Sequence, residues 1–134
     1  MKVEISKEQK AALGNKISLC VEFLKQEVQP HLISSDKVIV PMGEILDLCI
    51  TSKKIYVVKT RILSLFTDIY LRQTLTLEKK DRKDSKKYIC DRYPELAVDF
   101  LKHWEEAKNR LIKEVIDKNK KINDLNSFVD QFVL

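Results

Sequence analysis

The chain has 134 residues, of which 44% are hydrophobic, and this is typical of one globular domain that buries its own core. It contains only two glycines and three prolines, which argues against glycine-rich phosphate loops and against a strand-rich fold with many tight turns. The net charge of +5 is concentrated in residues 78–87 and 108–121, so an acidic partner would meet basic patches rather than a uniformly basic surface.

The first predicted helix begins at Ser6. Ser6 and Gln9 have the spacing of a capping box, in which each side chain satisfies a backbone N–H of the other residue. The helix is expected to end at Pro30, because the residue before a proline avoids α geometry. Between these limits, one apolar stripe is formed by Leu13, Ile17, Cys20, Val21, Leu24 and Val28.

Residues 31–40 are predicted to connect the first helix to a short second one. Within them Val38, Ile39 and Val40 form an extended piece, which we interpret as a packed loop because no convincing partner strand is evident. Pro41 stands where a first-turn proline is tolerated. The second helix is then indicated by the helical spacing of Ile45, Leu46, Cys49 and Ile50.

A third helix is predicted over residues 53–77, with Thr51 or Ser52 as its cap. Its main stripe consists of Ile55, Val58, Ile62, Leu65, Phe66 and Ile69. A second apolar set lies off that stripe and consists of Val57, Leu63, Leu71 and Leu75. A helix that is apolar on more than one side is usually central or covered by a partner. The β-branched content and the alternation over residues 74–77 argue against helix in the last turns.

Residues 78–87 are expected to form an exposed loop or a frayed helix end, followed by a turn of helix around residues 87–92. Pro94 starts the longest amphipathic helix, whose inward residues are Ala97, Phe100, Leu101, Trp104, Leu111 and Val115. Residues 119–124 form a polar break, after which Asn123 or Asp124 caps a terminal helix. These elements predict an all-α fold: a single-domain helical bundle of four or five helices over residues 1–134. The predicted core contains Ile17, Leu24, Ile62, Leu65, Ile69, Phe100, Trp104 and Leu111.

Candidate chemistry is sparse in this sequence. The polar stripe of Glu95, Asp99, His103 and Glu106 has too few ligands for a metal site and forms ordinary i, i+4 pairs. Neither a phosphate-binding loop, a dinucleotide fingerprint nor a nucleophile motif is present. We therefore predict that the chain is not an enzyme. We expect no catalytic residues, no metal, no cofactor and no small-molecule substrate.

The basic segments are a candidate nucleic-acid interface. Their lysines and arginine would neutralise phosphates without reading sequence, and Tyr88 and Tyr93 flank the first segment where they could stack on bases. The simpler interpretation is a solvated charged loop, since three acids interrupt residues 78–87. The predicted phosphate contacts are Lys79, Lys80, Arg82, Lys83, Lys86, Lys87, Lys118, Lys120 and Lys121.

The C-terminal segment is a candidate partner or dimer contact. Its residues Leu125, Phe128, Val129 and Phe132 fall on one helical stripe. Such a stripe either packs on its own domain or lies in the groove of a partner. We expect packing on the chain's own domain, with a homodimer that exchanges or pairs these helices as the alternative.

These observations predict a helical binding module that acts through protein–protein contacts: an adaptor, an inhibitor or a small subunit of a larger assembly. The alternative is a nucleic-acid-binding accessory subunit. Cys20, Cys49 and Cys90 are widely spaced and form no redox or zinc motif, which suits a reducing compartment. The N-terminus lacks the apolar core of a signal peptide, and no apolar run is long enough to span a bilayer. We therefore expect a cytoplasmic protein without a membrane partner.

Overall fold

A four-stranded antiparallel sheet packed against helices forms the architecture, in a computed structural model that describes residues 5–64, 69–79 and 86–132. The strand order is β1-β2-β3-β4, so each strand pairs with its neighbour in sequence. The prediction of an all-α bundle of four or five helices is therefore wrong. The chain combines helices with a sheet, and the sheet takes up much of the segment that was expected to form the second and third helices.

The first helix, α1, spans Lys7–Phe23 and confirms the predicted cap. The Gln9 backbone N–H donates to Ser6 Oγ at 3.1 Å, and the Ser6 N–H donates to Gln9 Oε1 at 2.9 Å. Two orphan donors of the first turn are thus satisfied reciprocally. The helix continues through a π-helical turn, Leu24–Val28, and ends in a 3₁₀ turn, Gln29–His31, which contains Pro30.

The sheet consists of β1 (Lys37–Pro41), β2 (Leu46–Thr51), β3 (Ile55–Ser64) and β4 (Ile69–Leu75). Gly43 lies in the connection between β1 and β2 with φ at +119°, a conformation that side chains with a Cβ rarely adopt. The first two strands are thereby joined by a tight connection at one of the only two glycines in the chain.

The predicted second and third helices are strands for a clear physical reason. Ile45, Leu46, Cys49 and Ile50 have helical spacing, but Leu46, Leu48 and Ile50 also alternate, and short apolar runs fit both periods. The β-branched residues at the start of β3 favour the extended conformation because they restrict χ1.

The residue expected to cap the third helix stabilises a strand turn instead. Thr51 Oγ1 accepts the Lys54 N–H at 3.0 Å, and the Thr51 N–H donates to the Lys54 carbonyl at 2.9 Å. A threonine hydroxyl satisfies nearby backbone donors in turns as well as at helix starts. The cap signal at Thr51 was therefore real, but it belongs to the hairpin between β2 and β3.

The core lies between one face of the sheet and the helices. Antiparallel register places Val40, Leu48, Val57 and Leu75 side by side across the four strands, and all four are buried. Because alternate strand residues point to the same face, this row presents one apolar surface. The helix residues that are buried with it include Ile17, Leu24, Val28, Phe100, Ala107 and Leu111.

From Ile89 to Asp130 the chain is helical except at Tyr93, and the predicted break is not observed. This region consists of α2 (Ile89–Arg92), α3 (Pro94–Leu111), a π-helical turn (Ile112–Asp117) and α4 (Lys118–Asp130). The backbone stays in the right-handed helical region from α3 through α4, giving a continuous rod of about 55 Å at 1.5 Å per residue. The predicted polar break at residues 119–124 is therefore wrong, and so is capping by Asn123 or Asp124.

Most of the predicted core is confirmed. Ile17, Leu24, Phe100, Trp104 and Leu111 are buried. The side chains of Ile62 and Ile69, and the whole of Leu65, lie outside the described residues. The helical half of the core was thus predictable from the sequence even though the sheet was not.

Replacing Trp104 with alanine is expected to lower the free energy of unfolding by about 3–5 kcal/mol. The indole is only 9% exposed, stacks on Phe100 at 6.0 Å and meets the Phe23 ring edge-on at 5.8 Å. Urea unfolding followed by circular dichroism measures the change. Lys102→Ala, an exposed position on the same helix, is the control and should change stability by less than about 0.5 kcal/mol. A loss below 1 kcal/mol for the tryptophan variant would contradict its place in the core.

Candidate interaction surface

The helix α4 carries an unpacked apolar stripe. None of its residues is buried, and the large apolar side chains on one side of it are open to solvent. Leu125 is 61% exposed and Phe132, just beyond the helix, is 72% exposed. The rings of Phe128 and Phe132 pack edge to face on each other, with their centres 5.0 Å apart. We use the name α4 stripe for Ile122, Leu125, Phe128, Val129 and Phe132.

The expectation that this segment packs on its own domain is wrong. The predicted contact residues Leu125, Phe128, Val129 and Phe132 are all exposed. The physical reason is the unbroken helix: α4 continues from α3 and therefore extends away from the core instead of folding back onto it. The predicted partner contact itself stays a prediction.

The helicity of α4 is not explained by its own sequence. Because α4 continues from α3, it needs no nucleus of its own, and its helicity depends on how well each of its residues propagates the helix. The segment contains Asn119, Asn123 and Asn126, and asparagine competes with the helix by bonding to nearby backbone. In proteins such a helix is usually stabilised by packing of its apolar face. Among the described residues, no part of the chain buries that face.

A second apolar surface lies between α1 and α3. It is a shallow groove of about 330 Å³, and the exposed Leu19 and the partly exposed Phe23 form its α1 side. The Lys108 ammonium lies 5.1 Å from the centre of the Phe23 ring, a cation–π distance. We use the name helix groove for Lys16, Leu19, Cys20, Phe23, Leu101, Trp104 and Lys108.

The sequence interpretation missed the helix groove. Its signal was Leu19 and Phe23, an i, i+4 apolar pair that lies off the predicted α1 stripe. Such a pair on the outer side of an otherwise amphipathic helix marks either an isolated exposed contact or a second packing surface. Only the structure shows that α3 supplies the other wall.

The basic residues are only partly accounted for. Lys79 Nζ lies 3.1 Å from Asp91 Oδ2, so one predicted phosphate contact already has an acidic partner. Lys80, Arg82 and Lys83 fall outside the described residues. Besides Lys79, the predicted contacts that are exposed in the structure are Lys86, Lys87, Lys118, Lys120 and Lys121.

The two tyrosines expected to stack on bases are engaged elsewhere. The Lys59 ammonium lies 3.9 Å from the centre of the Tyr93 ring, and the Tyr93 hydroxyl donates to Gln73 Oε1 at 3.0 Å. Tyr88 is half-buried, and burial is the main reason that its pKa is raised well above its usual value. Neither ring is presented freely to a nucleic acid.

The polar stripe of α3 does not assemble a site. Asp99 and His103 interact through the Asp99 backbone carbonyl, which lies 2.8 Å from His103 Nδ1, rather than through the carboxylate. Over the ranges that the structure describes, no group of three or more His, Cys, Asp or Glu residues is placed to hold a metal ion. Nor does any helix within those ranges have the length and apolar character needed to cross a membrane.

A cleft of about 450 Å³ lies near the start of α1, beside Gly14 and Tyr88. The Tyr88 hydroxyl occupies the space that a side chain on Gly14 would need, since a Cβ there would lie 2.6 Å from Tyr88 Oη. The backbone at Tyr88 is fixed by Thr76. Thr76 pairs with Tyr88 in a parallel bridge, and its backbone N–H and carbonyl form hydrogen bonds with the residues on either side of Tyr88. The glycine thus fits the ring rather than a functional ligand.

Comparisons with known proteins give no match. No protein-family model fits the chain, and neither the curated proteins nor the solved structures contain one of significant similarity.

Replacing Gly14 with alanine is expected to destabilise the protein by about 1–2 kcal/mol, although alanine favours helix by about 1 kcal/mol. The reason is the 2.6 Å contact that the new Cβ would make with Tyr88 Oη. Removing the hydroxyl by Tyr88→Phe relieves this contact. The double variant should therefore be more stable than the sum of the two single changes predicts. Urea unfolding of all four proteins measures the coupling, and strict additivity would contradict the contact.

The Cys20 thiol is expected to react at least about 100-fold more slowly with a disulfide reagent at pH 8 in the native protein than in denaturant. Burial raises its pKa from the ordinary 9.0 to about 11, so very little thiolate is present. Because the folded pKa is the higher one, this group's contribution to stability is complete below pH 9 and is lost as the pH rises through 11. Labelling followed by peptide mass analysis checks the rate, and equal labelling in both states would contradict the burial.

Proposed function

We propose that the chain is a non-enzymatic protein-binding module, an adaptor, inhibitor or small subunit, whose contact surface is the α4 stripe. The observation that carries this proposal is a helix with no buried residue that carries four large apolar side chains on one side, with a fifth, Phe132, just beyond its end. Contiguous apolar surface of this kind is rare on monomers and usually marks an interaction site.

The energetics support a partner. Burying a large aliphatic or aromatic side chain is worth about 1.5–3 kcal/mol, and the α4 stripe presents several of them together. Part of this gain offsets the entropy lost when α4 is ordered. A partner that covers the stripe would therefore explain both the exposed apolar residues and the helicity of a segment rich in asparagine.

A nucleic-acid-binding accessory subunit stays the rival proposal. The exposed lysines Lys118, Lys120 and Lys121 support it, because they cluster within one turn of α4. The ion pair of Lys79 and the engaged rings of Tyr88 and Tyr93 weaken it. The same helix would serve either function through different side chains: apolar residues for a protein and lysines for phosphate.

The cellular location also remains a proposal. Cys20, Cys49 and Cys90 are free and buried, and burial raises the pKa of each thiol. Unpaired cysteines used as small hydrophobic residues are typical of reducing compartments. This supports the cytoplasm as the place where the module works.

Replacing Leu125 and Phe128 together by aspartate is expected to abolish partner binding and leave the core intact, because both side chains are exposed. The matched control, Asn123→Asp with Ser127→Asp, adds the same charge on the opposite side of α4. Particle mass by light scattering and capture by the immobilised chain, with the captured protein identified, measure binding. The aspartate pair on the stripe should remove the association, and the control should retain it.

Two results would contradict the proposal. One is a wild-type chain that stays at the mass of one copy and captures nothing that depends on the α4 stripe. The other is binding of a labelled oligonucleotide at low salt that survives the stripe variant and is lost on replacing Lys118, Lys120 and Lys121 by glutamate, which would favour the nucleic-acid rival.

A further inference from the structure

The α4 stripe has the spacing of a seam between two helices. Ile122, Leu125, Val129 and Phe132 follow one another at intervals of three, four and three residues. This is the a/d pattern of paired helices, with β-branched residues at both a positions and leucine at the first d position. None of these four seam positions is occupied by a charged residue.

The same four residues are symmetric about Ser127. A second α4 can lie antiparallel to the first with the two Ser127 residues at the same height along the axis. Ile122 then meets Phe132 of the second copy, and Leu125 meets Val129. Each layer then combines an a residue with a d residue, as antiparallel packing requires. A twofold interface of this kind uses the same patch on both copies.

The residues beside the seam also fit the twofold arrangement. Phe128 follows the central residue by one position and lies on one side of the seam. Asn126 precedes the central residue by one position and lies on the other side. Two copies therefore bring Phe128 close to its counterpart as an aromatic pair. They also bring Asn126 close to its counterpart, where the two amides can hydrogen-bond. Both side chains are exposed in the single chain.

The lysines select the orientation. Lys118 and Lys121 lie on the same side of α4 as the stripe and are both exposed. A parallel pair would place Lys118, which occupies the d position before Leu125, beside its own counterpart, and like charges in register are unfavourable. An antiparallel pair moves the two Lys118 side chains to opposite ends of the seam, roughly 27 Å apart along the axis at 1.5 Å per residue.

We propose that α4 pairs with α4 of a second copy of this chain in an antiparallel, twofold-symmetric contact. The inference rests on the proposed function of the α4 stripe and adds the identity and direction of its partner. If the exposed parts of these five large side chains are covered on each copy, the contact is small and lies near the lower limit of about 1,000 Å² for a specific interface. The expected dimer is therefore weak, with a micromolar dissociation constant.

Sedimentation equilibrium of the full chain from about 1 to 300 μM tests the partner. The expected result is a reversible shift from 15.7 kDa to twice that mass. Leu125→Asp should raise the dissociation constant at least about 100-fold, and the control Ser127→Asp should change it less than about threefold. A wild-type chain of one-copy mass over the whole range would overturn this inference. The proposed function would survive if capture of another protein still depends on the stripe.

Cysteine cross-linking tests the direction. The native cysteines are buried, so an engineered thiol on α4 reacts without competition. Asn126→Cys should form a disulfide with its counterpart, because antiparallel pairing brings the two to the same flank within about 3 Å along the axis. A mixture of Lys121→Cys and Asn126→Cys chains should give no mixed disulfide. Parallel helices bring these two positions together, so a mixed disulfide would overturn the antiparallel arrangement.

A variant in the helix groove tests the other arrangement of two copies, in which α4 of one copy binds the groove of the other. Leu19→Asp places a charge in that groove, far in sequence from α4, and should leave the mass distribution unchanged. Loss of the dimer in this variant, with no disulfide at Asn126→Cys, would show that α4 docks in the groove of the second copy and would overturn the helix pair.

Discussion

The unbroken helix from α3 through α4 is the constraint on which the rest of the structure depends. Its first half is fixed by burial, since Phe100, Ala107 and Leu111 pack into the core with the sheet. Because the backbone stays helical through the π-helical turn, the direction of α4 is set by that packing. The helix extends beyond the core that its first half helps to form. This extension explains why the α4 stripe is exposed and does not pack within the chain, and it allows the proposed contact with a second copy.

The sequence was a good guide wherever a local signal had one meaning. The capping box of Ser6 and Gln9 is specific to a helix start, and the first-turn proline Pro94 is followed by a long amphipathic run, so both helices begin where predicted. Residues 45–50 and 55–64 had two meanings. The apolar residues of 45–50 satisfy a helical stripe and a strand alternation together, and those of 55–64 combine helical spacing with β-branched side chains that favour strands. Pairing with the neighbouring strands decided the choice. Thr51 shows the same ambiguity, since its hydroxyl accepts backbone N–H groups equally well in a turn.

The candidate site divides in the same way. The α4 stripe was visible in the sequence because apolar periodicity is a local property, whereas its exposure depends on where the core ends. The helix groove was not visible, because Leu19 and Leu101 belong to different helices and become neighbours only through packing. The basic segments show the converse. Composition identified them, but the ion pair of Lys79 with Asp91 and the cation–π contact on Tyr93 could not be read from a charge count.

The π-helical turn between α3 and α4 separates the part of the helix that packs in the core from the part that is exposed. Such a turn adds a residue to the hydrogen-bonded ring and rotates everything after it by about 100° relative to an uninterrupted α-helix. It packs against the other π-helical turn, Leu24–Val28, and Val115 is buried there with Leu24 and Val28. The two π-helical turns thus pack together in the core. After the second turn, the side chains of the helix point in a different direction from the one that an uninterrupted α-helix would give them. An uninterrupted α-helix would keep the apolar residues of α4 near the side that α3 buries. The added rotation turns them away from that side, which leaves them accessible to another chain.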